Sequence, residues 1–151
     1  MAEPGILVAI HIAGSSGQPQ RSIGEAELVA GQGLRGDRYF KAPGVVSLIE
    51  QEAIDTFNAD HGTEVTAPRT RRNLLTRGIR LNPLVGQRFM LGEVELEGME
   101  LCDPCSTLGN DLATDSVTPA QVVRGFVVSG GLRAYVRSSG TIRPGDTLRP
   151  V

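Results

Sequence analysis

The fold of this chain is indicated by the stretch QRFMLGEVELE, residues 87–97. Two largely apolar runs flank Gly92, which is the pattern of a β-hairpin with glycine in its turn. In the second run, Glu93, Glu95 and Glu97 alternate with apolar residues, so one face of this strand is predicted to be solvated and the other buried. The stretch therefore predicts two strands joined by a tight turn.

Similar short apolar stretches occur along the rest of the chain, separated by 19 glycines and nine prolines. They predict further strands at residues 5–12, 25–30, 45–49, 72–76, 132–137 and 146–151. Two segments predict helices, namely residues 50–58, which end before Gly62, and residues 118–125, which begin with a capping threonine and a proline. This pattern predicts a mainly β (α+β) fold, a closed or nearly closed β-barrel with a few short helices, as a single domain over residues 1–151.

Composition limits the classes of function. The formal net charge is −2, which argues against bulk attraction to nucleic acid. The longest apolar run, residues 6–10, is too short to cross a membrane, and the first residues lack the basic start of a signal peptide. The two cysteines do not form a disulfide scaffold in a chain of 151 residues. We therefore expect a cytoplasmic protein with reduced thiols and no membrane partner.

Charge is segregated along the middle of the sequence. Residues 68–88 contain six arginines and no acid, whereas residues 93–103 contain five acids and no base. One interpretation is a pair of solvated faces with ordinary strand alternation. The other is that the arginine-rich segment lines a site for an anion.

The cysteines Cys102 and Cys105 have C-x-x-C spacing, which several kinds of site use. A thioredoxin-like redox pair needs a βαβ context that the sequence does not show. A zinc site needs four ligands, and His11 and His61 do not form a suitable second pair beside the two cysteines. A single nucleophilic or sulfur-bearing thiolate, or two small buried hydrophobes, remain as interpretations. Pro104 constrains the chain before Cys105 and predicts that this cysteine lies on a turn after a strand, so Cys105 is the candidate catalytic residue.

Four groups of segments, taken in order, resemble the MOSC domain, the module at the C-terminus of molybdenum cofactor sulfurases. They are residues 33–38 (GLRGDR), 71–74 (RRNL) with 84–89 (LVGQRF), 102–108 (CDPCSTL), and 130–136 (GGLRAYV) with 140–146 (GTIRPGD). The order and spacing extend over residues 5–148. The chain is interpreted as a stand-alone member, and Tyr39 stands where many such members have histidine.

The resemblance implies a β-barrel and a role for Cys105 as the family's cysteine. In amidoxime-reducing members this cysteine is a molybdenum ligand, and in sulfurases it is proposed to carry persulfide sulfur received from a pyridoxal-phosphate-dependent cysteine desulfurase. Arg71 and Asn73 match positions that hold the molybdopterin of the molybdenum cofactor. The remaining candidate cofactor-binding residues in the matching motifs are Arg35, Asp37, Arg38 and Asp103.

Several functions remain open at this stage. The first is binding of the molybdenum cofactor, or carriage of sulfur as a persulfide on Cys105, for maturation of a metal–sulfur cofactor. A cysteine desulfurase or a molybdoenzyme would then be the partner. The alternatives are a molybdenum-dependent reductase of N-hydroxylated compounds and a non-catalytic module that binds an anionic ligand. A reversible Cys102–Cys105 redox pair is the least favoured of these alternatives. Whether the protein is an enzyme is not decided by the sequence.

Overall fold

The computed structural model describes residues 4–15, 17–102 and 106–151. Within these residues the strands are β1 (Gly5–Ile12), β2 (Arg21–Ile23), β3 (Ala26–Val29), β4 (Gly33–Leu34), β5 (Val45–Glu50), β6 (Leu74–Arg77), β7 (Arg88–Leu91), β8 (Val94–Leu101), β9 (Leu132–Val136), β10 (Gly140–Ile142) and β11 (Thr147–Pro150). The α-helices are α1 (Gln51–His61), α2 (Ser106–Leu112) and α3 (Pro119–Gly125). Single 3-10 turns cover Ala67–Thr70 and Asn82–Leu84.

Seven strands close into a barrel in the order β11, β7, β8, β9, β5, β6 and β1. Pairing of β1 with β11, in which Gly5 lies opposite Leu148, completes the ring and leaves these seven strands without a free edge. Among the strands described here, only β5 and β6 pair with each other in parallel, and α1 makes the crossover between them. Strand β2 extends from β1, and β3 pairs with β10 and β4 in a separate small sheet.

The hairpin predicted from residues 87–97 forms β7 and the first half of β8. Leu91 lies opposite Val94, and Arg88 lies opposite Glu97. Val94 and Leu96 are fully buried in the barrel, whereas the Glu95 carboxylate lies 2.7 Å from the Arg88 guanidinium on the outer face. The alternation of charge in this segment therefore separates the barrel interior from solvent, as predicted.

The helices cover one side of the barrel and form a second apolar cluster there. Phe57 of α1 stacks on Phe126, just after α3, with ring centroids 4.6 Å apart. Leu108 and Leu112 of α2 are buried in the same cluster. This second cluster lies outside the barrel. The cluster inside the barrel contains Phe89, one of the largest fully buried side chains.

Most predicted elements are present, with small differences at their ends. The capping box of α3 is confirmed, because the Thr118 hydroxyl accepts from the Gln121 N–H at 3.2 Å and the Gln121 side chain accepts from the Thr118 N–H at 2.8 Å. The end of α1 at Gly62, in the left-handed conformation, is also confirmed. Helix α2 was not predicted, since residues 106–109 have the composition of a turn. The short strands β2, β4 and β10 were not predicted either.

No helix among the described residues is long and apolar enough to cross a membrane.

Candidate functional site

A cavity of about 940 Å³ opens beside the barrel, where the loop after β4, the segment before β6 and the start of β9 meet. Among the described residues, its lining combines five cationic side chains with one carboxylate and one thiol: Arg38, Lys41, Arg71, Arg72, Arg133, Asp111 and Cys102. A volume of about 300–1,000 Å³ is typical of small-molecule and cofactor sites. The excess of positive charge makes this cavity suited to an anion.

Arg71 follows the 3-10 turn Ala67–Thr70 with φ of 64°, in the left-handed region. An arginine in this conformation costs about 1–3 kcal/mol relative to ordinary backbone. Its Nη1 atom donates a hydrogen bond to the Gln18 carbonyl at 2.5 Å, and its side chain lines the cavity. The strained backbone thus holds this guanidinium at the cavity wall.

Arg72 is half-buried, and its Nε atom donates to the carbonyl oxygen of Gly130 at 2.7 Å. Two glycines allow this approach. A Cβ atom at Gly130 would lie 2.5 Å from the Cys102 carbonyl oxygen, and one at Gly131 would lie 2.1 Å from the Leu48 carbonyl oxygen. The Gly-Gly pair before β9 therefore brings Arg72 and Cys102 together.

Asn73 also lines the cavity, but its amide is used by the protein itself. Its Oδ1 atom accepts from the N–H and the hydroxyl of Ser47, both at 3.2 Å, and its Nδ2 donates to the His11 carbonyl at 3.1 Å. These bonds join β1, β5 and the segment before β6. Asn73 therefore positions the two preceding arginines by fixing the chain to which they belong.

The motif at residues 33–38 likewise contains a residue that holds the fold together and a residue that lines the cavity. Asp37 is buried, and its two carboxylate oxygens accept from the N–H groups of Ala13 at 3.0 Å and Tyr39 at 3.3 Å. Arg35 pairs with Glu27 at 3.0 Å and is not among the residues that line the cavity. Arg38 does line it.

The arginine-rich segment is likewise split between two environments. Arg80 and Arg88 pair with carboxylates, as expected of a solvated face. Arg69, Arg71 and Arg72 instead donate to main-chain carbonyl oxygens, and the structure shows no carboxylate paired with them among the described residues. The segment therefore supplies arginines both to a solvated face and to the cavity, and binding of an anion by the latter stays a prediction.

Cys102 directly follows β8 and is buried in the cavity wall. Burial raises the pKa of its thiol, while the nearby guanidinium groups of Arg72 and Arg133 lower it in part. Cys105 and Asp103, which the sequence also singles out, lie outside the described residues. Within the described residues, no three metal-ligating side chains lie close enough to hold a metal ion.

The family model for the MOSC domain matches residues 36–149, which is most of the chain. The chain belongs to the MOSC domain family. The recognition based on its four groups of motifs is thereby confirmed.

Solved structures show the same architecture as this MOSC domain. The YuaD protein from Bacillus subtilis superposes with a TM-score of 0.85 at 16% identity, covering 97% of this chain and 94% of that protein. YiiM from Geobacillus stearothermophilus gives a TM-score of 0.76 at 17% identity, covering 98% and 75%. YiiM from Escherichia coli gives 0.68 at 20% identity, covering 100% and 70%. These likenesses establish the fold, and the predicted mainly β barrel with short helices is confirmed. No curated protein sequence gave a significant match.

Sequence reasoning did not select every residue that this MOSC domain places at the cavity. Arg72, Arg133, Lys41 and Cys102 line it, although none was a candidate binding residue. A signal for Arg72 was present, since it lies between Arg71 and Asn73 in one motif. Arg133 also lies in a matching motif, residues 130–136, but its proximity to Cys102 depends on the pairing of β8 with β9, which no local pattern indicates.

We expect the Cys102 thiol to stay protonated at neutral pH, because burial outweighs the two arginines. In a Cys105→Ser variant, which leaves one thiol, the rate of alkylation by iodoacetamide should rise with an apparent pKa above the ordinary value of 9.0. The pH profile is the readout, since burial by itself slows the reaction at every pH.

The same pKa shift predicts how stability depends on pH. The folded protein holds the Cys102 proton more tightly than the unfolded chain does, so this contribution is complete below the unfolded-state pKa and decreases as pH rises above it. An alkylation profile with an apparent pKa below the ordinary value would show that the arginines dominate instead.

Proposed function

We propose that this MOSC domain binds the molybdenum cofactor in the cationic cavity, with Cys105 as the thiolate that binds molybdenum or carries persulfide sulfur. The observation that carries the proposal is the charge of the cavity, where, among the described residues, five cationic side chains accompany one carboxylate, that of Asp111. The family resemblance supplies the identity of the cofactor.

The charged residues that line the cavity, and the volume of the cavity, fit a phosphorylated cofactor. Arginine guanidinium groups form paired, charge-assisted hydrogen bonds with phosphate oxygens. Arg71 and Arg72 are held by main-chain carbonyls through one N–H each, and these bonds leave further N–H donors on both guanidinium groups. Arg38 and Arg133 add positive charge to the same cavity. These four arginines would hold the phosphate and the other anionic groups.

When bound, the cofactor would supply a redox-active metal to which a soft thiolate is a suitable ligand. Cys105 lies in sequence between Cys102 and Leu108, which both line the cavity, and this supports its assignment as that ligand. Arg71, Arg72 and Asn73 would bind and orient the cofactor, with Asn73 acting through the main chain. Burial of the cavity wall at Cys102 would limit access of water.

Sulfur carriage on Cys105 uses the same site. The Cys105 thiolate would attack the outer sulfur of a persulfide on a pyridoxal-phosphate-dependent cysteine desulfurase, and the desulfurase thiolate would leave. The partner would thus be a desulfurase, or the molybdoenzyme that receives the product. Reduction of N-hydroxylated compounds would require the metal to be retained and an electron donor to be supplied.

Cofactor loading tests the proposal. The wild-type protein and the variants Cys105→Ala, Arg71→Gly and Arg149→Ala are produced in a host that makes molybdopterin, and their molybdenum and pterin contents are measured. We expect the wild type and Arg149→Ala to contain both, because Arg149 is an exposed residue of β11. Arg71→Gly should lose pterin, and Cys105→Ala should lose molybdenum or, after incubation with a desulfurase, the persulfide.

The Arg71→Gly variant is expected to lose binding of the cofactor without a loss of protein stability. Glycine adopts positive φ without strain, so the variant releases about 1–3 kcal/mol of backbone strain while losing one hydrogen bond of about 1 kcal/mol and adding unfolded-state entropy. Its stability should therefore stay close to that of the wild type. A wild-type protein that takes up neither pterin, molybdenum nor persulfide would refute the proposal. A wild-type protein that takes up neither molybdenum nor persulfide, but binds phosphate-bearing anions in a way that Arg71→Gly abolishes and Cys105→Ala keeps, would instead favour the non-catalytic anion-binding module.

A further inference from the structure

We propose that Tyr39 presents an aromatic face on which a planar heteroaromatic ring of the bound anion stacks, so that the cavity selects anions that carry such a ring. This inference rests on the proposed binding function and narrows its ligand class.

Tyr39 is unusual among the aromatic residues of the chain. It lines the cavity, yet 53% of its surface is exposed. Phe57, Phe89 and Phe126 are buried in the two apolar clusters. Among the described residues that line the cavity, Tyr39 is the only aromatic one. Its ring therefore offers apolar surface at a cationic site without serving the core.

The backbone around Tyr39 is firmly anchored, so its exposure does not come from a loose loop. The Tyr39 N–H donates to the buried Asp37 carboxylate at 3.3 Å, and the Arg38 N–H donates to the Ala13 carbonyl at 2.8 Å. Two residues later, the Lys41 N–H donates to the Gln32 carbonyl at 2.8 Å. A ring held in place before binding loses little conformational entropy when a ligand stacks on it.

The cations nearest to this ring also line the cavity. The Arg38 guanidinium carbon lies over the Tyr39 ring, 4.6 Å from its centroid, and the Lys41 ammonium nitrogen lies over the ring at 5.9 Å. A ligand ring would therefore stack on the ring face opposite Arg38. A simple anion uses only the positive charges. An anion linked to a planar ring uses the charges and the aromatic face together, because every aromatic heterocycle has a face that stacks.

Two probes that share a phosphate and a ribose test this inference, namely guanosine 5′-monophosphate and ribose 5-phosphate. Their affinities are measured by calorimetry for the wild type and for Tyr39→Leu, Tyr39→Phe and Tyr135→Leu. Tyr135 is the matched control, since an arginine (Arg137) lies 4.4 Å from its ring centroid but the residue does not line the cavity.

We expect the wild type to bind the nucleotide at least about fivefold more tightly than ribose 5-phosphate, which is the low end of base–aromatic stacking. Tyr39→Phe and Tyr135→Leu should keep this preference, and Tyr39→Leu should abolish it while changing the affinity for ribose 5-phosphate by less than about twofold. Because the chain has no tryptophan and two tyrosines, tyrosine fluorescence in Tyr135→Leu reports on Tyr39 alone, and the nucleotide should quench it.

Three results would overturn the inference. Equal affinity of the wild type for both probes would refute stacking and leave the anion site intact. An equal loss of affinity for both probes in Tyr39→Leu would show that Tyr39 acts only by positioning Arg38 and Lys41. Failure of the wild type to bind either probe would refute the inference together with the cationic cavity on which the proposed function rests.

Discussion

Replacing Arg72 with alanine is expected to weaken the binding of ribose 5-phosphate roughly 10- to 100-fold, the effect of losing a hydrogen-bonding charged group. Arg72 is half-buried in the cavity wall, and its Nε–H is engaged by Gly130, which fixes the direction of the guanidinium. An arginine oriented in this way contributes more than an exposed one, because it is screened less by solvent and salt.

A second readout of Arg72→Ala is the thiol of Cys102. Among the positive charges that lower its pKa, Arg72 is the first in size, so removing it should raise that pKa further. In a Cys105→Ser background, alkylation should then need a higher pH than in the parent. The free energy of unfolding should fall by about 1 kcal/mol through loss of the hydrogen bond to Gly130.

Arg72→Lys and Arg133→Ala serve as controls for this prediction. Lysine keeps the positive charge near Cys102 but cannot form paired hydrogen bonds, so the pKa should change little while affinity drops. Arg133 is exposed and pairs with Glu100 at 3.2 Å, so its loss should reduce affinity less. An Arg72→Ala variant with wild-type affinity and an unchanged Cys102 profile would contradict the assignment of Arg72 to the site.

Replacing Gly131 with alanine should destabilise the protein by at least about 3 kcal/mol, combining backbone strain with overpacking. Gly131 has φ of 112°, and an added Cβ would lie 2.1 Å from the Leu48 carbonyl oxygen. The obstacle is main chain of β5 rather than a flexible side chain, so β5 and β9 would have to separate. In a protein of this size the midpoint of thermal unfolding should fall by roughly 6–12 °C.

Gly24→Ala is the matched control for Gly131→Ala. An added Cβ at Gly24 would meet nothing within 4 Å, and its φ is not in the left-handed region. Its stability in urea should change by less than about 0.5 kcal/mol, as for other surface substitutions. Equal unfolding midpoints for the two variants would show that the close approach at Gly131 is not needed for the fold.

The elements that sequence predicted well are those governed by neighbouring residues. The hairpin of β7 and β8 follows from alternation and a glycine turn, and the start of α3 follows from the reciprocal bonds of Thr118 and Gln121. Helix α2 was missed because its short, Gly-containing sequence has little intrinsic helical preference. Its helical state depends on burial of Leu108 and Leu112 and on close contact at Gly109, where a Cβ would lie 2.8 Å from the Pro119 carbonyl oxygen.

The candidate site, too, could be predicted from local sequence only in part. Motif matching selected Arg71 and Asn73, and both line the cavity, but it could not show that the Asn73 amide is occupied by Ser47 and His11. The roles of Cys105 and Asp103 stay predictions, since both lie outside the described residues.

The sequence by itself determined the family, the mainly β barrel and the arginine-rich character of one segment, because each is encoded in local spacing and composition. Only the tertiary structure decided which arginines face the cavity and which pair with carboxylates. It also brought Arg133 and Lys41 to the same cavity as Arg72 and made Tyr39 part of its wall. Barrel closure and the close approach at Gly130 and Gly131 impose these contacts between segments that are distant in sequence, which no local pattern records.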